Sequence, residues 1–172
     1  MTHINIILVI VAFLNTSYFG IAQSKRKMNK ETTEWRYEAE ANGTGTQGTY
    51  QLKVWTYARK GEKAINQAKK NAVHAVLFKG FPNNGRIQGQ KPLISKPNTE
   101  EDEAEFFTEF FKDGGEFQKY VFLVNNGAIG PGDRIKVSKK EYKIGVVVSV
   151  NAAGLRKELE NKEIIQALSS GF

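Results

Sequence analysis

The chain has 172 residues, 40% apolar and 25% charged, the balance of one globular domain and not of a disordered or fibrous protein. It has no cysteine, which excludes disulfides, thiol nucleophiles and thiolate metal sites. Against 18 acidic residues stand 25 basic ones, and the net charge of +7 favours anionic partners such as phosphate-bearing glycolipid, acidic polymer or nucleic acid.

Ile6 to Leu14 form an unbroken apolar run, followed by polar Asn15, Thr16 and Ser17 and by Gly20-Ile21-Ala22, small residues of the kind a signal peptidase reads. Residues 1–22 therefore read as a cleavable secretory signal, with cleavage after Ala22 leaving Gln23 first and 150 residues in the mature chain. The run is short for a membrane span, which needs roughly 20 apolar residues, so a retained anchor ranks second. The expected location is periplasmic, outer-membrane-associated or secreted. Lys25, Arg26, Lys27 and Lys30 oppose this, since positive charge beyond the apolar run hinders translocation. The alternative is a cytosolic protein begun at Met28. Residues 23–34 lack periodicity and read as a flexible basic leader, and residues 35–172 as a single domain.

From Trp35 to Ala41 apolar and charged residues alternate, and the alternation resumes from Tyr50 through Leu52, Val54, Trp55 and Tyr57, predicting an antiparallel hairpin. Ala64, Ile65, Ala68, Ala72, Ala75 and Val76 mark an amphipathic helix whose alanine stripe permits close approach to a sheet. Residues 80–98, with three of the four prolines, read as a long irregular connection. Thr99 and Asp102 suggest a partial capping box before a helix bearing Phe106, Phe107, Phe110 and Phe111, which Asp113-Gly114-Gly115 ends. Tyr120 to Val124 reads as a short strand, and Tyr142 to Val150 is the strongest strand signal in the chain. A last helical stretch carries Leu155, Leu159, Ile165 and Leu168; its stripe slips near Asn161, and Gly171 stands where a cap would. This order predicts an α+β fold, a small mixed or antiparallel sheet with helices packed over one face.

Gly43-Thr44-Gly45-Thr46-Gln47-Gly48 matches a dinucleotide-binding fingerprint, but a strand and not a helix follows it, so the glycines are expected to serve a hairpin turn. His74, the one histidine beyond the signal, is expected at the surface, without a second histidine or a cysteine to complete a metal site. No set of residues in complementary catalytic roles emerges, and no cofactor is implied. Residues 99–113 hold seven acids against Lys112 and so carry −6, which leaves +13 on the rest of a chain totalling +7. The acids read as a solvated helix face. Two basic clusters stand away from them, Arg59, Lys60, Lys63, Lys69 and Lys70 on the first helix, and Arg134, Lys136, Lys139, Lys140 and Lys143 around the last hairpin. Lys69, Lys70, Lys139 and Lys140 are the candidate anion- or partner-binding residues. Phe106, Phe107, Phe110 and Phe111 form a stripe broader than one seam requires and are candidate docking aromatics.

The stretch WRYEAEANGTGTQGTYQLKVW, the helix QAKKNAVHAVLFKG and the ending YKIGVVVSVNAAGLRKELENKEIIQALSSGF resemble small exported proteins of unknown function from Bacteroidetes-type bacteria. The glycine-bearing strand and alanine-rich helix are more loosely similar to accessory α/β domains of envelope lipoproteins, although the lipobox cysteine is missing. The resemblance implies export and a single domain, and it transfers no catalytic motif. The expectation is a non-enzymatic periplasmic or outer-membrane-associated binding or assembly module. Its partner is an envelope protein or an anionic envelope component, not nucleic acid, and peripheral membrane association fits the charge. The rivals are a hydrolase using carboxylates such as Glu38, Glu40 or Asp133, and a cytosolic nucleic-acid binder begun at Met28.

Overall fold

Strands β1 (Tyr37–Ala41) and β2 (Thr49–Ala58) pair antiparallel, with Tyr37 opposite Thr56 and Ala41 opposite Leu52. A computed structural model describes residues 35–43 and 45–167; from Arg36 onward they belong to one compact unit. The signal, the basic leader and residues 168–172 lie outside the described residues. Between β1 and β2 the glycines do make a turn. Gly43 and Gly48 adopt φ of +94° and +80°, and a Cβ on Gly45 would stand 2.4 Å from the Thr49 carbonyl oxygen.

The centre of the sheet is β5 (Tyr142–Asn151), paired with β2 from Ala58–Tyr142 to Thr49–Asn151. Its other edge is shared by two short strands, β3 (Val121–Leu123) opposite residues 148–150 and β4 (Arg134–Lys136) opposite residues 142–144. All pairings are antiparallel, so the fold is α+β with a five-stranded antiparallel sheet. Register places Leu52 against Val148, Val54 against Val146 and Thr56 against Ile144, and all six are buried on the inward face.

Helix α1 (Gly61–His74) packs on that face through Ala64, Ala68 and Ala72, whose small side chains let the helix axis come close to the strands. Close approach also buries Asn71. Its amide donates to Thr56 Oγ1 at 3.4 Å while its Oδ1 accepts from Gln67 Nε2 at 2.9 Å. The helix then widens into a π turn, Ala75–Lys79, closed by Gly80 N–H on the Ala75 carbonyl at 2.7 Å. Carbonyls of Val76 and Leu77 are taken by the N–H groups of Leu93 and Ile94, both at 2.9 Å. Residues 80–98 are thus not an irregular loop. Two antiparallel bridges, Phe81–Gln90 and Asn84–Ile87, fold the segment on itself, and Gly89 N–H donates to Asn83 Oδ1 at 2.7 Å.

The phenylalanine helix is two pieces, α2 (Thr99–Asp102) and α3 (Ala104–Phe110), broken at Glu103. The expected capping box is not formed: Thr99 is already helical and its hydroxyl donates to the Lys96 carbonyl at 2.9 Å. A 3₁₀ turn, Glu116–Tyr120, then leads into β3. Helix α4 (Ala152–Asn161) starts where Asn151 Oδ1 accepts from Gly154 N–H at 2.8 Å, and it buries Leu155 and Leu159. It ends in a Schellman motif, with Ile164 N–H on Leu159 O at 2.9 Å, Glu163 N–H on Glu160 O at 3.0 Å, and Glu163 itself at φ +59°. The stop near Asn161 agrees with the slipped stripe and is capped at Glu163; the expected cap at Gly171 lies outside the described residues.

Candidate functional site

Three of the four stripe phenylalanines are spent on the core. Phe107, Phe110 and Phe111 are buried, and only Phe106 is half-exposed. The width of the stripe comes from what flanks it. Phe107 meets Phe78 of the π turn edge-on at 4.9 Å, while Phe111 packs on Phe117 at 5.9 Å and Phe110 on Tyr120 at 6.2 Å. As docking aromatics, Phe107, Phe110 and Phe111 are therefore corrected to core residues.

The four candidate lysines fall on two elements in different surroundings. Lys69 and Lys70 are half-buried on α1, and the Lys70 ammonium stands 4.0 Å from Asp113 of the acidic segment. Lys139 and Lys140 are exposed in the turn between β4 and β5. That turn lies at the Ala58–Tyr142 end of the sheet, beside exposed Arg59 and Lys60.

His74 is not at the surface. It is 2% exposed, wedged between Phe78 and Phe111, whose ring centroids stand 5.1 and 6.1 Å away. The Tyr37 hydroxyl lies 2.7 Å from Nδ1 and Glu100 Oε2 lies 3.4 Å from Nε2. Burial raises the Tyr37 pKa well above the ordinary phenol value, with Glu100 adding to the effect, so the hydroxyl keeps its proton and donates to Nδ1. Nε2 then carries the imidazole proton and donates to Glu100. Burial lowers the His74 pKa below 6.5 against the upward pull of Glu100, so the ring is neutral at pH 7. The arrangement ties β1 to α1 and α2. Outside it opens a cleft of about 490 Å³ between Phe78, Pro92 and Glu101.

The outward face of the sheet is built differently. Trp55 lies over Gly145, where a Cβ would stand 3.1 Å from the indole ring. Its Nε1 donates to Glu40 Oε1 at 3.2 Å, and the ammonium groups of Lys53 and Lys143 stand 4.9 and 5.4 Å from the ring centroid. Lys143 donates to both Glu38 oxygens at 2.7 Å, and Lys53 pairs with Asp133. Arg36 stacks on Tyr57 at 3.8 Å and reaches Glu141 at 3.5 Å. The three carboxylates singled out for hydrolysis, Glu38, Glu40 and Asp133, do share this face, each engaged by a lysine or the indole. Among the described residues the exposed large apolar side chains are Phe122 (57%), Ile135 (50%) and Val137 (47%). Phe122 faces outward opposite Ser149 and Ile135 opposite Lys143, with Val137 two residues on from Ile135. Alternation showed the strands, but the Trp55–Gly145 contact needed their register; a glycine inside a strand was its one sequence signal.

Comparison with known proteins returns no matching family model, no matching curated relative and no matching solved structure. Among the described residues no cluster of three metal-ligating side chains occurs, and no helix is long and apolar enough to cross a membrane.

Proposed function

We propose that this chain is a non-enzymatic binding or assembly module of the bacterial envelope, periplasmic or outer-membrane-associated, and that the outward face of its sheet docks an envelope protein. The observation that carries the reading is the exposure of Phe122 on the same face as Trp55, Tyr57 and Val147. Aromatic side chains held on a rigid sheet are the anchors protein interfaces favour. The charges among them are already neutralised as Glu38–Lys143 and Lys53–Asp133, so a partner covers them without burying an unpaired ion. Glu38 and Asp133 are each paired with a lysine and Glu40 accepts from the Trp55 indole, which favours docking over hydrolysis. Export rests on the apolar run Ile6–Leu14 and the Gly20-Ile21-Ala22 site.

A photo-crosslinking residue at Phe122 in living cells should give one discrete protein adduct that Trp55→Ser weakens, while the same probe at exposed Lys157 of α4 gives none. Equal labelling at both positions, or none at Phe122, overturns the docking face. Mass spectrometry of the native N-terminus tests the compartment separately: Gln23 supports export, and a Met28 start in cytosol overturns it.

A further inference from the structure

The β4–β5 turn presents a second surface with different chemistry. All residues from Arg134 to Lys140 are exposed, and this stretch, RIKVSKK, holds four cations, two large apolar side chains and no acid. The acids that bracket it are neutralised elsewhere, Asp133 by Lys53 and Glu141 by Arg36. Arg59 and Lys60 are exposed at the same end of the sheet, because Ala58 pairs with Tyr142, and Glu62 is the acid among them. Lys69 and Lys70 lie two to three turns further along α1.

From this we infer that the turn is a peripheral docking element for an anionic lipid bilayer, with Val137 and Ile135 entering the interface and Lys136, Lys139, Lys140, Arg59 and Lys60 reaching lipid phosphates around them. Long cationic side chains keep their heads at the phosphate level while apolar neighbours go deeper. A soluble polyanion would use the cations but has no use for Ile135 and Val137 held half-exposed, which is why a membrane fits better. Ile135 shares the outward face with Lys143, so the turn adjoins the protein-docking face at one end of the sheet; its test uses vesicles and residues of the turn, and either reading can fail alone.

The full chain is sedimented with vesicles of phosphatidylglycerol and phosphatidylcholine, or of phosphatidylcholine alone. Binding is expected only to the anionic vesicles and should fade between low and moderate salt. Replacing Arg134, Lys136, Lys139 and Lys140 by Glu should lower partitioning at least about a hundredfold. The pair Ile135→Ser and Val137→Ser should lower it about tenfold, with the thermal unfolding midpoint unchanged in both variants. Should either variant prove unstable, Lys139→Glu with Lys140→Glu, confined to the turn, carries the same expectation at about tenfold. Binding equal on neutral vesicles, or unaltered by these substitutions, overturns the proposal. So does binding that single-stranded DNA competes away and that ignores the Ile135 and Val137 replacements, which would assign the turn to soluble polyanions.

Discussion

The two faces of the sheet are made by the same strands, and alternate residues of β2 and β5 went to opposite fates. Inward, Leu52, Val54, Ile144, Val146, Val148 and Val150 are sealed under α1 and its neighbours. Outward, Lys53, Trp55, Tyr57 and Lys143 are joined by ion pairs and ring contacts at half-exposure. The inward side chains are interchangeable aliphatics whose value is volume; the outward ones are chemically specific and held in place by each other. Stability is thus concentrated on the inward face, whereas the docking proposed above uses the outward one, which gives mutations opposite expected signatures on the two.

The largest effect is expected inside. Leu155→Ala or Phe110→Ala should cost about 3–4 kcal/mol in denaturant unfolding, because each empties a fully buried site. A loss near 1 kcal/mol would mean the helices pack more loosely than their burial implies. Next comes the buried polar tie. Tyr37→Phe leaves the His74 Nδ1 acceptor without this donor and should cost about 1–2 kcal/mol.

The same residue gives a pH signature. His74 titrates near 6.5 when unfolded and lower when folded, so below about pH 6.5 the unfolded chain binds more protons. Stability should therefore be full above pH 6.5, decline as the pH falls, and stop declining below the folded value. His74→Gln should flatten this stretch of the profile; identical profiles would show that another group governs it.

Smaller effects belong to the outer face. Gly145→Ala should cost about 1 kcal/mol and shift tryptophan emission, since the new methyl forces the Trp55 ring and Lys53 to give way. Phe122→Ala should change stability by less than about 0.5 kcal/mol while abolishing the crosslink given by a probe at Ser149, its cross-strand neighbour. If it proved destabilising, the contrast between the faces would fail at its most exposed point.

Sequence periodicity revealed four of the five strands, the alanine helix, the hairpin glycines and the stop near Asn161, because those features are written in local spacing; it missed β4, whose three residues are too few for alternation to show. It misplaced His74, since an imidazole beside an apolar stripe is read as polar until Tyr37 and Glu100, 37 and 26 residues away, are brought to it. It overrated the exposure of the phenylalanines for the mirror reason: Phe78, Phe117 and Tyr120, which widen the core around them, lie outside their helix. The bridged segment 80–98 was illegible because its order depends on hydrogen bonds to the π turn that follows α1. Of the candidate sites, the cations of the last turn were visible in sequence. The outward face was not, because it exists only once register is known.

The π turn at Ala75–Lys79 is, in geometric terms, a helix carrying one residue more than its pitch accommodates. The widened turn absorbs the extra residue, since Gly80 N–H closes on the Ala75 carbonyl five residues back instead of four. The same widening leaves the Val76 and Leu77 carbonyls to Leu93 and Ile94, so the bridged segment takes its anchorage from the turn. Ala75, Val76, Leu77 and Ile94 are buried, so this anchorage is part of the core and not a surface loop free to change length.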